Sequence, residues 1–167
     1  MSRSCAEKFS GQGLKGFTLI EMVAVVAIVG VLAAAAQPLL LWTHKREREY
    51  ELRSALRTLR GAIDDYREAV REGRVLVATS DSGYPRELKL LVNGVPLAGQ
   101  PDITKRIYFL RRLPRDPMAD PGLPPEATWG LRSYESSAQN PRRGNDVFDV
   151  YSQSDARAID GSLYRDW

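Results

Sequence analysis

Hydrophobic and polar positions divide this chain into three regimes. Residues 17–36, FTLIEMVAVVAIVGVLAAAA, are apolar on every face, 20 residues with one charge, Glu21. A helix of that length covers roughly 30 Å, the thickness of a bilayer's hydrocarbon core. From 42 to 72 charged residues enter and the apolar ones thin to a stripe. Leu52, Ala55, Leu56, Leu59, Ala62, Ile63, Tyr66, Ala69 and Val70 recur at steps of one, three and four, which places them on one face of an amphipathic helix. Only Pro38 interrupts the join, where loss of a backbone donor predicts a bend. The pattern therefore predicts one helix of about 55 residues, and Gly73 supplies its stop.

Beyond Gly73 the pattern shortens. Nine of the ten prolines lie between Pro85 and Pro141, so this half is rich in turns and irregular connections. A short helix is expected at 86–92, closed by Asn93-Gly94. Residues 103–110 suit either helix or strand. Strands are expected at 128–134 and 147–151; in the second, Val147, Asp149 and Tyr151 alternate with Phe148 and Val150. Gly144-Asn145 precedes it as a turn. Asp160-Gly161 would turn the chain into a last strand at 162–164. Helix first and short strands afterwards make the fold class α+β.

Composition narrows the function classes. Hydrophobic residues at 43% and charged residues at 27% are globular values that exclude a wholly disordered chain. A mean hydropathy of −0.34 excludes a multi-span membrane protein. The 24 basic and 21 acidic residues are interspersed, so no polycationic tail points to nucleic acid. One cysteine, Cys5, can form neither an internal disulfide nor a thiolate metal site. The single histidine, His44, sits at the foot of the apolar run, far in sequence from the turn-rich half. No Gly-rich phosphate loop, H-E-x-x-H or G-x-S-x-G occurs, and the paired acids Asp64-Asp65 read as a solvated helix face. Catalysis has no machinery here. Residues 1–16 are small and polar, carry a side-chain charge of +2, and read as a flexible leader.

Three readings fit the apolar run. It could be a single-pass anchor. It could be a secretory signal peptide with Ala34-Ala35-Ala36 before the cut, although 20 residues exceed the usual core of about 7–15. Neither reading needs Glu21, and an acid at a helix centre costs about 3 kcal/mol on an insertion scale. The third reading gives it a use. Gly16-Phe17-Thr18-Leu19-Ile20-Glu21 resembles the leader junction of type IV pilins and of the pseudopilins of type II secretion. That resemblance implies a prepilin peptidase that cuts after Gly16 and methylates the new N-terminal Phe17. Glu21 then becomes the fifth mature residue, where the family has its glutamate. Gly30 and Pro38 become the fourteenth and twenty-second, where the family often has Gly and Pro.

Cleavage would leave an ammonium on Phe17 in an apolar environment. A lone ammonium and a lone carboxylate are each costly there, and each suits the other as partner. The family's account pairs Glu21 with the Phe17 amine of a neighbouring copy. Such a contact joins different patches of identical subunits and repeats into an open helical filament. Gly16 and Phe17 are thus the processing residues, and Phe17, Glu21, Gly30 and Pro38 the assembly residues.

The second half carries the resemblance further. Ser82-Gly83-Tyr84-Pro85 resembles a "YP" segment common in pseudopilins. Arg111-Arg112-Leu113-Pro114-Arg115-Asp116-Pro117 resembles the "RRLPxDP" stretch of the major, G-type pseudopilin, and Trp129-Gly130 and residues 147–152 resemble its strand-forming end. The bland alternative is that Pro114 and Pro117 are loop punctuation and Trp129 is core. The resemblance implies a pilin-like fold: a leader over 1–16, a transmembrane and assembly helix over 17–41, and a periplasmic globular domain over 42–167 outside the bacterial inner membrane. Arg3, Lys8 and Lys15 favour a cytoplasmic N-terminus, while Lys45, Arg46 and Arg48 flank the other side, diluted by Glu47 and Glu49. The implied partners are other copies of the chain, other pseudopilins, the prepilin peptidase and an inner-membrane platform driven by a cytoplasmic ATPase. Two other functions remain open: a type IV pilus or minor subunit that primes the filament, and a membrane-anchored binding domain.

The major pseudopilin of the family often holds Ca²⁺ between its last strands. That ion takes about six to eight oxygens. In 152–161 only Asp155 and Asp160 match acidic positions, with the carbonyls of Gln153 and Arg157 as extras. This loop is shorter than the family's and lacks its adjacent acidic pair. The alternative is a plain turn closed by Asp160-Gly161.

Overall fold

The computed structural model describes residues 16–75, 82–99 and 105–167, with the side chains of 35–41 outside that description. Residues 1–15 of the leader, with Arg3, Cys5, Lys8 and Lys15, lie outside the described residues, as does the start of the 103–110 segment. The chain divides into two units, residues 1–42 and 43–167. One helix, α1 (Leu19–Arg71), contributes to both and is continuous through position 38. It has 53 residues, in keeping with the single long helix expected. Among the described residues no helix is long and apolar enough to cross a membrane.

In the first unit, the helix opens on a Thr-x-x-Glu signature. The Glu21 N–H donates to Thr18 Oγ1 at 3.3 Å, and the Met22 N–H to the Thr18 carbonyl at 3.1 Å. Thr18 thus satisfies donors that a first turn otherwise leaves open.

In the second unit the amphipathic stripe becomes the core. Leu52, Ala55, Leu56, Leu59, Ala62, Ile63, Tyr66 and Ala69 are buried, and Val70 packs beside them. The helix ends where expected. Gly73 takes φ +72°, the left-handed conformation that closes a helix at little cost for glycine. The N–H groups of Gly73 and Arg74 donate to the carbonyls of Val70 and Ala69.

Two small antiparallel pairs and a short helix cover that stripe. The helix α2 (Lys89–Asn93) begins three residues later than the sequence suggested and ends, as expected, ahead of Gly94. Strands β1 (Val95–Pro96) and β2 (Arg106–Ile107) pair, which resolves the 103–110 segment as partly strand. Strands β3 (Trp129–Arg132) and β4 (Asp149–Ser152) pair with Trp129 opposite Ser152 and Gly130 opposite Tyr151. Both lie within or beside the expected spans. The last strand is corrected: Arg157 and Leu163 form a single bridge, and Tyr164–Asp166 is a 3-10 turn. Tyr164 is buried and meets Trp167 edge-on at 5.1 Å, and tucking both rings inward curls the backbone out of an extended path.

Candidate assembly face and C-terminal turn

The N-terminal helix exposes apolar side chains on all sides. Phe17 is 74% exposed, and Leu19, Ile20, Val26, Ile28 and Val31 are also exposed. Soluble monomers rarely show contiguous apolar surface on this scale, and such surface marks a membrane or partner contact. Glu21 stands among these residues, and no described residue of its own chain pairs with its carboxylate. As an acid in the first turn it also complements the helix dipole. Gly30 has nothing within 4 Å of where a Cβ would be. A mid-helix glycine costs about 1 kcal/mol relative to alanine, and no contact among the described residues requires it. The side chain of Pro38 lies outside the described residues. Gly16, Phe17, Glu21 and Gly30 therefore share one stretch of chain, while the two aspartates of the calcium expectation belong to the other unit.

There, Asp155 and Asp160 lie in one turn, and each is already engaged. Asp155 Oδ1 accepts from the Arg165 guanidinium at 2.7 Å. Asp160 Oδ1 accepts from the Ser162 hydroxyl at 2.6 Å and the Ser162 N–H at 3.0 Å, and Oδ2 faces Arg53 at 3.5 Å. The Ser162 hydroxyl, then its N–H, hold the Asp160 carboxyl below the usual carboxylate range. Among the described residues, no group of three or more His, Cys, Asp or Glu is placed to hold a metal ion.

Two acids that the sequence did not single out are the buried ones. Asp116, inside the RRLPRDP stretch, is fully buried. It accepts from the Ser152 hydroxyl at 2.6 Å and the Met118 N–H at 2.7 Å, while its own N–H donates to Thr128 Oγ1. The Trp129 indole donates to the Pro114 carbonyl at 2.9 Å. The stretch is thus a polar knot tying a loop to β3 and β4, and Trp129 is core. Glu49 on α1 is only 8% exposed. Its Oε1 accepts from the Ile159 N–H at 2.8 Å and from the Tyr164 hydroxyl at 2.9 Å. Burial first, and then the Glu49 carboxylate, push the Tyr164 phenol up to about 12. The sequence carried a signal for Glu49: it falls three residues before Leu52, on the upward continuation of the stripe. It is an internal hydrogen-bond acceptor rather than a solvated surface acid.

Tyr84 of the "YP" segment is likewise structural. It packs on Tyr134 and Phe148, and the Arg67 guanidinium lies 4.5 Å over its ring and donates to its hydroxyl.

An exposed apolar N-terminal helix with a first-turn acid, continued into a helix that backs a small α+β unit, is the plan of a pilin-like subunit. The prokaryotic N-terminal methylation motif matches residues 14–37. Three curated relatives carry the name type II secretion system core protein G. The one from Klebsiella pneumoniae is 30% identical over 109 residues, covering 64% of this chain and 70% of the relative. That from Pectobacterium carotovorum subsp. carotovorum is 29% identical over 121 residues, covering 69% and 70%. The Aeromonas hydrophila relative is 28% identical over 109 residues, covering 64% and 68%. The chain belongs to the type II secretion system core protein G family. No solved structure matches it significantly.

Proposed function

We propose that the chain is the structural, polymerising subunit of a type II secretion pseudopilus, in keeping with its family. In this reading a prepilin peptidase removes residues 1–16 and methylates Phe17. Residues 17–41 first hold the subunit in the inner membrane as a single span, with residues 42–167 in the periplasm. Subunits then leave the membrane and stack through their apolar helices. The fibre acts mechanically, without a catalytic step, and pushes exoproteins outward. Other pseudopilins, an inner-membrane platform and its ATPase are the partners.

One observation carries the reading: Glu21 is the single charge in the apolar run 17–36 and has no partner among the described residues of its own chain. An uncompensated carboxylate in apolar surroundings costs several kcal/mol. The ammonium of Phe17 on an adjoining copy would neutralise it, fix the axial register and leave an open, heterologous contact. Gly30, unexplained inside the chain, fits close helix approach in the same stack.

Glu21→Ala tests this in cells that express the secretion machinery. The variant should insert in the membrane and be processed like the wild type, yet yield no sheared filaments. Filaments of normal length and abundance from Glu21→Ala would remove the basis of the proposal.

A further inference from the structure

We propose that the turn after β4 is anchored to α1 by the Glu49 carboxylate, in the role a bound calcium ion would otherwise play, so that the C-terminal segment folds without metal. A cation site converges oxygen atoms on a point. This turn converges donors instead: the Ile159 N–H and the Tyr164 hydroxyl both point at Oε1 of Glu49. Its polarity suits an anion, and the protein supplies that anion from its own helix. A buried carboxylate needs such donors as much as the donors need it, because each group left alone pays its full desolvation cost.

Several oxygens of the turn already accept hydrogen bonds or face cations. The carbonyls of Ala156, Ala158 and Ser162 accept from the N–H groups of Tyr164, Gly161 and Ala158. The Gly161 carbonyl accepts from the Arg157 guanidinium at 2.9 Å. Asp155 and Asp160 face Arg165 and Arg53. Three guanidinium groups therefore surround the loop, and a divalent cation would meet their repulsion before it met free carboxylates.

Trp167 closes the arrangement. Its indole donates to the Ser162 hydroxyl at 2.7 Å, and the Arg53 guanidinium stacks on its ring at 4.1 Å. Arg60 donates to its carbonyl at 2.8 Å while also holding Asp149 and the Val150 carbonyl of β4. The exposed ion pairs at Asp155 and Asp160 add little by themselves. The buried contacts at Glu49 carry the anchor, and Glu49 is a positioning residue for the turn.

Hydrogen exchange on the full-length chain in detergent, read on peptides covering 153–164, is the test. Protection of the turn should be the same in millimolar CaCl₂ and in EDTA. Glu49→Ala should lower that protection by about tenfold or more while β3 and β4 keep theirs. Glu49→Gln, which keeps an acceptor oxygen, should retain most of it, and it serves as the readout if the alanine variant fails to fold. Calcium-dependent protection of the wild-type turn would overturn the proposal. So would unchanged exchange in Glu49→Ala, or full loss in Glu49→Gln with no difference between the two substitutions.

Discussion

Single residues in this chain owe their roles to whether their charge has somewhere to go. Glu21 has no partner among the described residues of its own chain, and Glu49 and Asp116 are inside with theirs. Tyr164 shows how a buried pair links to pH. Its phenol is raised to about 12 by burial and by Glu49, so folding favours the protonated form relative to the ordinary value near 10. The stabilisation is complete below about pH 10 and is lost as pH climbs towards 12. Urea denaturation of the full-length chain should therefore show a fall in stability across that window. Tyr164→Phe, lacking the titrating group, should start less stable and show a shallower fall. An equally steep fall in Tyr164→Phe would place the alkaline sensitivity elsewhere.

At the scale of elements, the β3–β4 pair depends on a glycine. Gly130 faces Tyr151 across the strands, and a Cβ at Gly130 would clash with the Tyr151 ring. The ring lies over the bare backbone, a common way to shield a strand glycine. Gly130→Ala should cost about 1–3 kcal/mol by overpacking. Gly130→Ala placed on a Tyr151→Ala background should cost almost nothing further, because the clash is gone. Additive losses in the chemical denaturation cycle would contradict this packing. The long helix was legible because its stripe runs for five turns with one period, and β3 and β4 because alternation and turn residues bracket them. The C-terminal strand was misread because the Asp160-Gly161 turn signal cannot reveal that Tyr164 and Trp167 fold back on α1. Asp116 was hidden among prolines that look like punctuation. Glu49 was hidden by its charge, since an acid on the stripe reads as surface until its donors are seen. The N-terminal motif over 14–37 was legible because it is a short contiguous segment with no tertiary contact to decode; the roles proposed for Gly16, Phe17, Glu21 and Gly30 rest on it.

The whole molecule joins two halves with opposite needs. Residues 43–167 satisfy their polar groups internally: among the described residues, no buried side-chain nitrogen or oxygen lacks a partner. The first part of α1 leaves its apolar surface and its one acid for something outside the chain. That contrast suits a subunit whose globular part is finished alone and whose helix is completed only by a bilayer or by other copies. The scheme stands on a free ammonium at Phe17, since without it Glu21 has no counter-charge to meet. Intact-mass measurement of the chain purified from membranes that contain its prepilin peptidase addresses this directly. The account predicts a single species spanning residues 17–167 with one added methyl group at its N-terminus; a chain that begins at any other residue, or that still carries residues 1–16, would contradict it.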